Sequence, residues 1–262
     1  MTNNAQKKPQ QEVVEKKVDA LIPMSDLEAD ASAGLGGLTN EDLATPRLKI
    51  LMNGSEELES NEDLKMGQIF NTVTGEAYDG KEGIVVVPCA YQRQYAEWSP
   101  IRGQGNPPVN IFDANSDILT KTTRSKEDNK DYLENGNYIE TNANHFVILY
   151  DPKTGVGSPA LITLKATQLK KSRKWNSMML NIRIPGSKGP FNPPSFSHMY
   201  SLKVKKEKND KGNWFGWEID LLGPVTNMEL YNEAKSFHRS IASGEVTAKP
   251  EQEQTVGSPN PF

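Results

Sequence analysis

Apolar residues recur along this chain at two spacings, and the places where one gives way to the other mark out its elements. From residue 84 to 98, "IVVVPCAYQRQYAEW", β-branched and aromatic residues dominate, which predicts one long strand. Pro88 within it cannot donate to a ladder, so a bend or an edge position is expected there. Upstream, "MGQIFNTVTGEAYDGKEG" reads as a short strand and turn, with ordered structure beginning near "ATPRLKILMNG". Residues 99–143 are polar and rich in Gly, Pro, Asn and charge, and read as a long connection. The apolar runs "HFVILYD" (145–151) and "SPALITLK" (158–165) follow, with "PKTGVG" between them as a hairpin loop.

The period then changes. In "ATQLKKSRKWNSMMLNI" the residues Leu169, Trp175, Met178, Met179 and Ile182 fall on one helical face, and "PGSKGPFNPP" ends the helix. Two further strands are predicted, "SFSHMYSLKVK" and "NWFGWEIDLL", joined by the charged turn "KEKNDKG". A last helix starts with Thr226 and Glu229 as a capping box, buries Leu230, Ala234, Phe237 and Ile241, and stops at Gly244 as a C-cap glycine. The fold class expected is mainly β (α+β). Five strands with a helix between the third and fourth is the order of an OB-fold barrel, here with a C-terminal helix added. Residues 1–42 read as a flexible arm, 43–244 as the folded domain, and 245–262 as a disordered tail ending in Phe262.

Composition narrows the function. With 262 residues and 35% hydrophobic content the chain can build an ordinary core, and no run approaches the roughly 20 apolar residues that span a bilayer. The polar N-terminus lacks the apolar segment of a secretory signal, so a cytoplasmic protein is expected. Cys89 is the single cysteine, and His145, His198 and His238 stand at no metal-ligand spacing, so neither a metal nor another cofactor is expected. Phosphate-cradling, dinucleotide, nucleophile-elbow and zinc-protease motifs are all missing. The D-x-K triplets at Asp79-Gly80-Lys81 and Asp128-Asn129-Lys130 are the kind that chance supplies in a chain with 24% charged residues. A non-enzymatic role follows.

Charge changes the picture most. Residues 165–211 hold 12 Lys or Arg against Glu207 and Asp210, a net of +10, while the rest of the chain carries 18 basic and 32 acidic side chains, a net of −14. A basic run alone is often a solvated face; a division this sharp predicts a polyanion site on a protein that otherwise repels polyanions. The candidates for phosphate contact are Lys165, Lys170, Lys171, Arg173 and Lys174, with Lys203 and Lys205 alternating away from Leu202 and Val204. Flat rings for base stacking are offered by Tyr91 and Tyr95 with Arg93 between them, by Trp98 with Arg102 at the loop entrance, and by Trp214 beside the last turn. Trp175 fits either a stacking platform or the apolar face of its helix, and Phe215, Trp217 and Ile219 read as core.

The blocks "ATPRLKIL", "GQIFNTVTGE", "GIVVVPCAYQRQYAEWSP", "LKKSRKWNS", "GPFNPPSFSHMY" and "WFGWEIDLLGPV", spread from about Leu43 to Gly244, resemble a group of tailed-bacteriophage single-stranded-DNA-binding proteins of replication and recombination. The resemblance implies a protein that coats unwound DNA without sequence readout in the cytoplasm of the infected bacterium. Such proteins often end in an acidic tail closing on an aromatic residue that docks on partner enzymes. Here Phe262 and a nearby proline are present, but Glu245, Glu251 and Glu253 stand back from the terminus. Docking of phage or host replication or recombination proteins through Phe262 is therefore expected, and electrostatic self-inhibition by the tail is not. Homo-oligomers are compatible with this role. A strand-annealing mediator and a phage interaction or structural protein that binds no nucleic acid are the alternatives.

Overall fold

The computed structural model describes residues 23–39, 42–100, 107–209 and 212–249. The chain divides after Leu43 into two units. In the first, a short helix α1 (Met24–Ala29) leads into successive turns. Most of the expected arm, 1–22, and most of the expected tail, 250–262, lie outside the described residues.

The second unit opens with β1 (Leu48–Ile50), a short helix α2 (Glu56–Ser60), β2 (Ile69–Asn71) and β3 (Ala77–Tyr78), and the three strands pair as a small antiparallel sheet. The larger sheet is a curled half-barrel. Its long strands are β4 (Ile84–Trp98), β8 (Tyr138–Tyr150), β9 (Gly157–Leu164), β10 (His198–Asn209) and β11 (Gly212–Pro224), in the spatial order β9-β8-β4-β10-β11, all antiparallel. Between β4 and β8 lie β5 (Asn110–Asp113), β6 (Thr123–Arg124) and β7 (Asp131–Tyr132). Helix α3 (Leu169–Asn181) separates β9 from β10, and α4 (Met228–Ala242) follows β11. Among the described residues β9 and β11 do not pair, so hydrogen bonds do not close a five-stranded barrel.

The unbroken apolar run at the start of β4 follows from burial on both faces of the sheet. Ile84 and Val86 pack in one cluster with Trp175, Tyr200 and Leu202, whereas Val87 and Cys89 pack in a second with Phe146, Leu230 and Ala234 of α4. At Pro88 the ladder shifts register, Pro88 facing Val147 and Ala90 facing Phe146, so Cys89 is an inserted residue. β10 pairs with β4 only over Ile84–Val86, which leaves Pro88 outside that ladder. The bend expected at this proline is present.

Two readings of the sequence are corrected here. Strand β8 begins at Tyr138, seven residues before the apolar run that predicted it, because "YIETNAN" pairs with the outer half of β4 and extends the sheet as a ribbon. The long connection is therefore shorter than expected and carries β5 on β4 and β7 on β8. Helix α4 is capped by Asn227, whose side chain accepts hydrogen bonds from the Glu229 and Leu230 N–H groups; Thr226 stands one residue too early to do so. Gly244, at φ +81°, takes the left-handed position expected of it.

Candidate functional site

The unpaired seam between β9 and β11 opens into a groove of about 1280 Å³. Alternation along β9 sends Ile162 and Leu164 into the first core cluster and Thr163 and Lys165 to the other face, where they line the groove. Trp214 and Phe215 of β11 form the opposite wall, and Pro107 of the long connection also reaches it. The turn at 166–168 completes that side and runs directly into α3; Ala166 there holds φ at +45°, strained for a residue with a Cβ. Four cations line the space, Arg47, Lys49, Lys165 and Lys249, against Glu56 and Glu57.

Three of these cations, Arg47, Lys49 and Lys165, are held by partners. Arg47 donates to the Thr163 hydroxyl at 3.2 Å and to the backbone carbonyl of Lys249, tying the segment after α4 to the β1 side of the seam. Thr163 donates in turn to Asn144, and Asn144 to Gln94, so a polar chain runs from the groove across three strands. Lys49 pairs with Glu57 at 2.6 Å and Lys165 with Glu140 at 3.3 Å.

The basic side chains expected from the sequence gather partly around this groove. Lys165 and Trp214 line it. Lys171 reaches Glu207 at 2.6 Å, and the other oxygen of that carboxylate accepts the Trp214 indole N–H at 2.9 Å. Burial alone would raise the Glu207 carboxyl, but Lys171, the Trp214 hydrogen bond and nearby Lys170 outweigh it and hold the pKa below its ordinary value. Lys170, Arg173 and Lys174 share the exposed face of α3 and make no ion pair among the described residues. Lys203 and Lys205 are exposed on β10, as the alternation with Leu202 and Val204 predicted, and Lys205 pairs with Glu218 at 3.1 Å.

The aromatic expectations divide. Trp214 is half-buried beside the groove, but Trp175 is fully buried, stacked on His145 with centroids 4.4 Å apart and edge-on to Tyr200. Its helix-face alternative is the one realised. Trp98 and Tyr95 are also corrected, being buried against Tyr138 and against Ile118 and Ile139 respectively under the β5–β7 extension. Tyr91, Arg93 and Tyr95 do share a face, with Arg93 exposed between the two tyrosines, but it is the face of His145 rather than that of Gln94 and the polar chain to the groove. Arg102 and Phe262 lie outside the described residues. The D-x-K triplets are turns in which Asp79 and Asp128 accept the backbone N–H of Lys81 and Lys130. Among the described residues no three His, Cys, Asp or Glu side chains converge as a metal site.

Sequence reasoning missed Arg47, Lys49 and Lys249, since only the seam brings positions 47 and 249 together. A family model described as Pam3 phage gp34-like protein matches residues 15–247. The chain belongs to the Pam3 phage gp34-like family. The phage origin implied by the sequence blocks thus holds, and the matched span takes in every strand and helix of the half-barrel. The Pam3 gp34-like description names no ligand or activity. No curated protein and no solved structure matches the chain. No helix among the described residues is long and apolar enough to cross a membrane.

Proposed function

We propose that this phage protein binds single-stranded DNA without sequence readout, coating it in the infected bacterial cytoplasm during replication or recombination. The observation that carries the reading is the groove at the open seam, which places Lys165 and three further cations opposite Trp214 and Phe215. A positively charged trough with stacking rings is what a flexible polyanion strand needs, each stacked base contributing about 1–3 kcal/mol. At about 1280 Å³ the groove exceeds the roughly 300–1,000 Å³ of small-molecule pockets, which favours a polymer. The strand order β9-β8-β4-β10-β11, with a helix between β9 and β10, supports an OB-like barrel left open at one seam. In such a barrel oligonucleotides lie across strands 2 and 3 and the loops joining strands 1 to 2 and 4 to 5. Here β9 corresponds to strand 3 and Pro107 lies in the loop joining strands 1 and 2; both line the groove, as does Trp214, the third residue of β11, just beyond the loop joining strands 4 and 5. From the groove the turn at 166–168 leads to Lys170, Arg173 and Lys174, which continue the phosphate path along α3.

Titration with oligo-dT tests this through intrinsic fluorescence. Of the four tryptophans only Trp214 is not buried, so quenching should vanish in Trp214→Phe while binding followed by anisotropy persists. Trp214→Ala should weaken binding by about 1–3 kcal/mol. Neutralising about six phosphates gives a slope of log K against log salt near −4. Failure of the wild-type protein to bind oligo-dT at low salt sinks the reading and leaves an interaction or structural protein; accelerated annealing of complementary strands would assign the mediator role instead.

A further inference from the structure

The carboxylate of Glu207 sits among cations in a manner that deepens the single-strand reading, on which this inference rests. One oxygen meets Lys171 Nζ at 2.6 Å and the other accepts from the Trp214 indole at 2.9 Å, with Lys170 close enough to add its charge. Glu207 is one of only two acidic residues in the basic window 165–211. It lies close over β11: a Cβ at Gly216 would stand 2.9 Å from Glu207 Oε2 and 2.8 Å from Gln168 Nε2, so a side chain there would displace these two flexible ends. Gln168 in turn spends its Oε1 on the Trp217 N–H, which fixes the turn beside the carboxylate. The donors are thus arranged about a single anion with two acceptor oxygens, one bonded to an ammonium and one to an indole.

A phosphodiester presents the same chemistry: one negative charge shared by two acceptor oxygens. We propose that Lys171, Lys170 and the Trp214 indole N–H form a phosphodiester subsite beside the seam groove, and that Glu207 fills it as an internal anion until a strand arrives. Binding then exchanges one anion for another. Lys171 is already neutralised, so its contact with DNA releases no counterion, and Trp214 is released from Glu207 as the strand enters. The net effect is a subsite that lowers affinity for stray anions while keeping its donors aligned.

Glu207→Gln tests the exchange, because the amide is isosteric and still accepts from Trp214 while losing its charge. Against oligo-dT, this variant should bind about fivefold tighter than wild type at moderate salt, this partly exposed ion pair being worth about 1 kcal/mol. Its salt slope should steepen by about 0.7, the increment for one more phosphate neutralised on a single strand. The double variant Lys171→Gln/Glu207→Gln should return the slope to the wild-type value, which a merely altered fold would not do. Wild-type binding with no change of slope in Glu207→Gln overturns the subsite and leaves Glu207 as a structural tie between α3 and the β10–β11 hairpin. Absence of oligo-dT binding in wild type and variant alike overturns the single-strand reading and this inference with it.

Discussion

His145 is sealed between Trp175 and Tyr91, and its Nε2 lies 2.8 Å from the Ser172 hydroxyl. Burial pushes its pKa from 6.5 down to about 3. The unfolded chain therefore takes up a proton that the folded chain refuses across that interval. Because the unfolded state binds more protons there, stability falls as pH drops below about 6.5 and keeps falling toward 3. Other groups move in the same direction: Glu97, held below its ordinary pKa by Asn110 and Asn137, loses its contribution as it protonates. The His145 share is separable. Urea midpoints measured at pH 7 and pH 5 should differ less in His145→Gln than in the wild type, even though the variant starts lower; an equal difference would show that His145 titrates in contact with solvent. The same packing explains why Trp175 was ambiguous in the sequence. A tryptophan at helical spacing with Met178 satisfies an apolar stripe and a stacking platform alike, and only the position of His145 on the neighbouring β8 decides between them.

Elements were legible where both faces of the sheet are covered and obscure where they are not. Strand β4 matches its predicted span, and helix α3 matches its own from Leu169 on, after a separate turn at 166–168, because Ile84–Val87 and the Leu169–Trp175 stripe meet continuous apolar neighbours. The first half of β8 was not legible: Glu140, Asn142 and Asn144 are polar residues paired with Ala96, Gln94 and Gln92, and no hydrophobic period marks them. Likewise β10 runs on through "KEKN", read as a turn, because its register with β11 is set by cross-strand partners such as Glu207 opposite Trp214. Beyond Leu202, β10 leaves β4 and its Val204 N–H donates at 2.6 Å to the Gly80 carbonyl, so the turn after β3 takes over the edge. Gly80 has no space for a side chain; a Cβ would overlap the Gly67 carbonyl oxygen and stand 2.8 Å from Val204 Cβ. Gly80→Ala should therefore cost on the order of 1–3 kcal/mol through backbone overpacking. Denaturant unfolding measures it, and a loss below about 0.5 kcal/mol would mean that this turn is not docked on β10 in solution.

Across the whole molecule the basic window resolves into parts with different electrical states. The sequence placed net +10 in residues 165–211 but could not show that much of it is internally answered. Lys165 faces Glu140, Lys171 faces Glu207 and Lys205 faces Glu218, whereas Lys170, Arg173 and Lys174 stand together on the outward face of α3 without such partners among the described residues. Nor could it show that the seam recruits Arg47 and Lys249 from opposite ends of the fold. The two groups should therefore contribute unequally to salt dependence. Cations that meet phosphate without giving up a protein carboxylate release counterions in full, so Lys170→Ala/Arg173→Ala/Lys174→Ala should flatten the oligo-dT salt slope by about 2, some 0.7 for each phosphate lost. Stability should barely change, since surface substitutions away from packed features usually stay within about 0.5 kcal/mol. Lys165→Ala should flatten the slope far less while lowering affinity, because it removes a groove cation whose charge Glu140 already offsets. Anisotropy titrations at three salt concentrations distinguish the cases. If the α3 triple variant keeps the wild-type slope, the strand does not leave the groove along α3, and the phosphate path ends at the turn before that helix.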